Sequence, residues 1–145
     1  MIQEIWKSRN CPIEYAIYLG DNRYYPLIGE VPSTKVGDIK PLPLDENFPN
    51  EALASLDESF SSSLDEYTIF GGGTSWEGDG FLALEDKFTN KLFWLFHFTQ
   101  SEAFVNAEIE RGIVIANSEE YPRRFIFKIP IRNPIEFDIN TLKCT

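Results

Sequence analysis

Residues Leu92 to Phe98 read LFWLFHF, six apolar side chains and one histidine without a break. Neighbouring side chains of a strand point to opposite faces, so this segment, if extended, presents apolar groups on both sides. Such a strand cannot lie at an open edge in water. A chain that contains it must supply cover for two faces, and Leu92–Phe98 is therefore expected to be the central strand. Gly80-Phe81-Leu82-Ala83-Leu84 is a second apolar run. Lys87 to Asn90 connect the two with turn-forming Thr and Asn, so the pair reads as a β-hairpin.

The flanking sequence supplies further strands. Ile2 to Trp6 reads as a short one, ended by Asn10 and Pro12. Glu14 to Leu19 reads as another, turning at Gly20-Asp21-Asn22 into Arg23-Tyr24-Tyr25. From Gly29 to Pro43 glycine and proline recur too often for a long element, with room for a short extended piece at Val36–Ile39. Leu53, Leu56, Phe60 and Leu64 recur at steps of three and four, the stripe of an amphipathic helix. Asn47 or Asn50 can cap that helix and Pro49 suits its first turn, placing it at about residues 49–63. Glu66–Phe70, Ala103–Ile109, Ile113–Ala116, Phe125–Ile129 and Ile135–Ile139 complete a run of strands with short turns. The expected fold is α+β: a single domain over residues 1–145, with a mainly antiparallel, curved sheet or partly closed barrel and one helix against it.

Composition narrows the function classes. The net charge is −10, from 23 acids against 13 Lys and Arg. That field repels a phosphate backbone and an anionic membrane surface, so neither nucleic acid nor membrane is an expected partner. MIQEIWKSRN carries Glu4, Lys7 and Arg9 and has no apolar run of signal-peptide length, so a cytoplasmic protein is expected. Cys11 and Cys144 lack metal-site spacing and are expected as free thiols.

Few residues point to chemistry. His97 is the only histidine and is the residue a general base would need, yet it stands among Trp94, Phe96 and Phe98 without a nucleophile motif nearby. A hydrogen-bonded core histidine is the plainer reading. Gly71-Gly72-Gly73-Thr74 is followed by acids and no Lys, which argues against a phosphate cradle and for a turn or a bulge. Glu77 and Asp79, with Glu85 and Asp86, lack the alternating-acid loop of a calcium hand. No catalytic residue, metal or cofactor is expected.

The charge distribution is more informative. Between Pro41 and Asp86 there is no Lys or Arg, while the same span holds eleven acids; the remainder of the chain is close to neutral. A one-signed patch steers a partner of opposite sign, and aromatics among charges resemble interface hot spots. The candidate partner-binding residues are Asp45, Glu46, Glu51, Asp57, Glu58, Asp65, Glu66, Trp76, Glu77 and Asp79, with Phe48 as a second aromatic anchor. A merely solvated face is the alternative account of the same acids.

The stretches GDGFLALED, KLFWLFHF and SEAFVNAEIERGIVIAN resemble the immunity proteins of bacterial polymorphic-toxin and contact-dependent inhibition systems, over roughly Phe70 to Ile139. Those are small, often acidic, single-domain cytoplasmic proteins that bind and neutralise a toxin domain, commonly a basic nuclease. The resemblance implies a basic toxin C-terminal domain as partner. It transfers no functional residue. A small-molecule-binding or enzymatic β-barrel with an aromatic pocket near His97 is the alternative, and a subunit pairing with itself along an edge strand is a third.

Overall fold

The computed structural model describes residues 1–44, 52–98, 101–120 and 123–143. It begins with a helix, α1 (Ile2–Lys7), where a strand is expected. Ile2 and Trp6 lie one helical turn apart and are both buried, which gives so short a helix its stability through packing rather than propensity. Strands then follow: β1 (Asn10–Pro12), β2 (Ala16–Leu19), β3 (Arg23–Ile28), β4 (Lys35–Val36) and β5 (Leu42–Pro43). After them come β6 (Leu53–Leu64), β7 (Tyr67–Thr74), β8 (Gly80–Asp86) and β9 (Leu92–His97). The chain closes with β10 (Phe104–Glu110), β11 (Ile113–Glu120), β12 (Arg123–Pro130) and β13 (Asp138–Lys143).

These strands form two antiparallel sheets. Nine strands make the larger, ordered β1-β6-β7-β8-β9-β2-β3-β4 with β5 also on β3; β10 to β13 form a meander of four. Neither closes into a barrel. The α+β class with a mainly antiparallel sheet and one helix is as expected, but the helix is the N-terminal one.

The segment expected to be helical at about residues 49–63 is instead β6 from Leu53 onward, and residues 49–51 lie outside the described residues. Its periodicity has another origin. Between Glu58 and Phe60 the register against β7 shifts by one residue, so Ser59 is extra. The bulge moves Phe60 to the other face: Leu56 packs with the cluster under α1, Phe60 with the core between the sheets. A run of Ser at 61–63 also favours strand over helix, since serine competes with the helical backbone for hydrogen bonds.

The triglycine run lies in β7, facing this bulge. A Cβ at Gly71 would sit 2.4 Å from the Phe60 ring, and one at Gly72 would sit 2.0 Å from the Asp57 carbonyl oxygen. The run is therefore strand backbone cleared for its neighbour rather than a turn. Towards the C-terminus, Pro134–Glu136 is a 3-10 turn where an extended Ile135–Ile139 is expected, and the last strand starts at Asp138.

The central hairpin β8–β9 has the expected position, and its two faces are covered differently. Phe81, Ala83 and Leu95 pack with Ile2, Trp6, Ala16 and Tyr18 beneath α1. Leu82, Leu84, Trp94, Phe96 and Phe98 pack against Val114, Ala116, Phe125, Phe127 and Ile129 of the smaller sheet. Alternation along each arm thus delivers apolar groups to two separate clusters.

Candidate functional site

The acids of the Lys- and Arg-free segment are not one patch. Asp45, Glu46 and Glu51, like Phe48, lie outside the described residues. Asp57 and Glu58 are exposed on β6, opposite Gly73 and Gly72 of β7. Asp65 and Glu66 are exposed at the β6–β7 turn, and Glu77 is exposed at the β7–β8 turn. The eight residues of β7 lie between those turns. At about 3.3 Å per residue they are about 25 Å apart. Asp57, Glu58 and Glu77 therefore share one end of the sheet, and Asp65 and Glu66 belong to the other.

Trp76 stands at the first of these ends with 41% of its surface exposed. Its turn is tightly held. The Trp76 N–H donates to Thr74 Oγ1 at 3.2 Å, and the Trp76 carbonyl accepts from the Asp79 N–H at 3.1 Å. The Ser75 N–H donates to the Ser55 carbonyl at 2.9 Å, and the Ser55 N–H donates to Ser75 Oγ at 2.9 Å, tying the turn to β6. Arg9 Nε lies 3.9 Å from Glu58 Oε2, a loose surface pair that contributes about 1 kcal/mol or less.

Asp79 is different in kind. It is 4% exposed and its Oδ2 accepts the Tyr15 hydroxyl proton at 2.5 Å. A buried, hydrogen-bonded carboxylate braces the turn from inside and offers no contact surface, which removes it from the candidate partner-binding set. Glu85 is likewise buried, accepting the Trp6 indole N–H at 2.7 Å. Asp86 accepts from the N–H groups of Phe88 and Thr89, capping its own turn. Among the described residues, no group of three or more His, Cys, Asp or Glu could hold a metal ion.

His97 has no exposed surface. Its Nδ1 lies 3.0 Å from the Pro12 carbonyl oxygen; a carbonyl only accepts, so Nδ1 carries the proton. Nε2 faces Thr74 Oγ1 at 3.5 Å, Cys11 Sγ lies 3.7 Å from Nδ1, and the Tyr15 ring packs edge-on at 4.9 Å. Burial lowers the His97 pKa, against the opposing pull of the Pro12 carbonyl and Asp79. Burial also pushes the Cys11 thiol up to about 12. A neutral imidazole beside a protonated thiol, both sealed from solvent, has neither a nucleophile nor a route for substrate. This is a packed polar core and not the pocket that the β-barrel alternative requires.

A cleft of ≈ 740 Å³ opens at the opposite end of β9 from His97, floored by Leu19, Trp94 and Ile131. A second cleft of ≈ 430 Å³ shares Tyr67, Ile131 and Arg132 with it. Phe93 lines the first cleft and is 40% exposed in the midst of the most apolar strand. An unbroken apolar run gives no hint of which member faces solvent, so the sequence alone does not disclose this cleft.

Among the described residues, no helix is long and apolar enough to cross a membrane. Compared with protein-family models, with curated proteins and with solved structures, the chain matches none.

Proposed function

We propose that this chain is an immunity-type protein, acting in the cytoplasm, that binds and neutralises a basic toxin domain, a nuclease by preference. The observation that carries the reading is the presentation of Trp76, an exposed aromatic on a braced turn, beside Glu77, Asp57 and Glu58. A rigid indole loses little entropy on binding and is a common anchor of tight interfaces. Surrounding carboxylates attract a basic surface and speed encounter. Inhibition is by occlusion: the carboxylates take the places where a basic nuclease holds nucleic-acid phosphates, and Trp76 fills the desolvated centre. Asp65 and Glu66, about 25 Å away, contribute to long-range steering and not to the same contact.

The test begins with co-expression of the product of the neighbouring upstream gene, followed by measured affinity for that protein. The triple reversal Asp57→Lys, Glu58→Lys and Glu77→Lys is expected to weaken binding by about a hundredfold or more at low salt, since several close charge pairs become repulsive. Reversal of Asp65 and Glu66 changes mainly the association rate. Undiminished affinity in the triple variant overturns this placement of the interface, and a neighbour without a toxin-like domain removes the functional reading.

A further inference from the structure

The cleft beside Trp94 is built by a distortion of the central strand. Leu84 pairs with Trp94, but Glu85 pairs with Leu92, so Phe93 is an extra residue in β9. A bulge of this kind re-aims a side chain, and such bulges are frequent next to binding sites. Here it turns Phe93 outward against Tyr67, with ring centroids 5.5 Å apart and tilted by 59°. The distortion is pinned. The Phe93 carbonyl accepts from the Gly20 N–H at 3.0 Å. Gln3 brackets Leu92, accepting its N–H at 2.7 Å and donating to its carbonyl at 3.0 Å. Rigid placement of an exposed aromatic is unneeded for a core strand, which gains more by burying it.

Charge at the rim selects the occupant. Asp21 is engaged by Arg23 at 2.5 Å, and Asp86 caps its own turn. Lys91 and Arg132 line the same cleft, and among the described residues neither has a carboxylate within 4.0 Å. Arg132 also lines the second cleft, together with Tyr67 and Glu66. In a chain of net charge −10, two cations thus line an aromatic, apolar cavity, and Arg132 is held there by the Tyr67 hydroxyl, which Glu66 also approaches.

We propose that this cleft binds a small aromatic anion, its ring seated against Phe93 and Tyr67 and its carboxylate, sulfonate or phosphate held by Arg132 and Lys91. Arginine suits the anion because its planar fork donates in a bidentate manner. Trp94 and Ile131 floor the ring site. Their polar groups are already paired with each other, the indole N–H donating to the Ile131 carbonyl at 3.1 Å, so an apolar ring leaves no buried donor unsatisfied. The site is separate from the Trp76 surface and does not depend on toxin binding.

The probe is 8-anilino-1-naphthalenesulfonate, with uncharged N-phenyl-1-naphthylamine as its comparison, each titrated by fluorescence into the full chain. One sulfonate probe per chain is expected. Arg132→Gln and Phe93→Ser should each weaken it by about tenfold or more, while Arg132→Lys retains an intermediate affinity. Ile39→Ser, which removes an exposed apolar group elsewhere, should change nothing. The uncharged probe should bind about tenfold more weakly and ignore Arg132→Gln. Binding of several probes per chain, equal affinity for the two probes, or indifference to both Phe93→Ser and Arg132→Gln overturns the proposal. Melting curves of each variant, taken first, separate loss of the site from loss of the fold; if Arg132→Gln melts early, Lys91→Gln titrated with the sulfonate probe decides, undiminished affinity overturning the proposal.

Discussion

The Trp6 indole N–H donates to Glu85 Oε2 at 2.7 Å, both residues being almost wholly buried, and this bond fastens α1 to the central hairpin. Arg9 lies over the outer face of the same ring at 4.0 Å. Removing one partner strands the other in a dry site. Trp6→Phe and Glu85→Leu are each expected to destabilise the fold by about 1–3 kcal/mol. The double variant, with neither polar group left unsatisfied, should be more stable than the sum of the two predicts. Urea unfolding of the four proteins measures that coupling.

His97 should make stability pH-dependent. Its folded pKa is lowered by burial from the ordinary value of 6.5. Between that ordinary value and the lower folded one, the unfolded chain binds the proton and the folded chain does not. The contribution is fully present above about pH 6.5, declines as pH falls through this window, and is absent below the folded pKa. His97→Gln should therefore flatten the wild-type decline across that range. Melting temperatures from pH 7.5 downward check it, and parallel curves for the two proteins would refute the assignment.

Gly72 is predicted to be the least replaceable of the three consecutive glycines. Its added Cβ would lie 2.0 Å from a backbone oxygen in the facing bulge, whereas the nearest atom to one at Gly73 is the Ala103 Cβ at 3.3 Å. Backbone cannot rotate away as a side chain can. Gly72→Ala should destabilise by about 1–3 kcal/mol, as overpacked sites do, and Gly73→Ala by distinctly less. Thermal melts that rank the two the other way would contradict the bulge geometry.

Cys11 should be chemically silent in the folded protein. It is fully buried, and its thiol is pushed up to about 12, so the reactive thiolate is scarce at neutral pH. In a Cys144→Ser background, dithionitrobenzoate should modify Cys11 only at the rate of unfolding. Prompt labelling in native buffer would show that β1 opens readily.

The strands were legible where alternation or turn chemistry marked them, as at Gly20-Asp21-Asn22 and along Phe125, Phe127 and Ile129. Bulges break that alternation. Leu56 and Phe60 are four residues apart, a spacing that places them on one face of a helix and also of a regular strand, yet Ser59 puts them on opposite faces. Ile2 and Trp6 carried a helical spacing too short to outweigh their strand-favouring residue types. In the candidate surface Asp57, Glu58 and Trp76 are exposed, whereas the burial of Asp79 is hidden from the sequence because its partner, Tyr15, is 64 residues away. Phe93 was hidden by its apolar neighbours.

The tether between α1 and the hairpin sets an order of assembly. Gln3 bonds to Leu92 across 89 residues, and Trp6 to Glu85 across 79. Long loops of this kind close late, because their chain entropy is lost before any contact repays it. During synthesis Ile2 and Trp6 are made well before their partners, and they stay uncovered until β8 and β9 have emerged and paired. The seating of α1 thus closes the cluster over Phe81, Ala83 and Leu95 only after the central hairpin has formed.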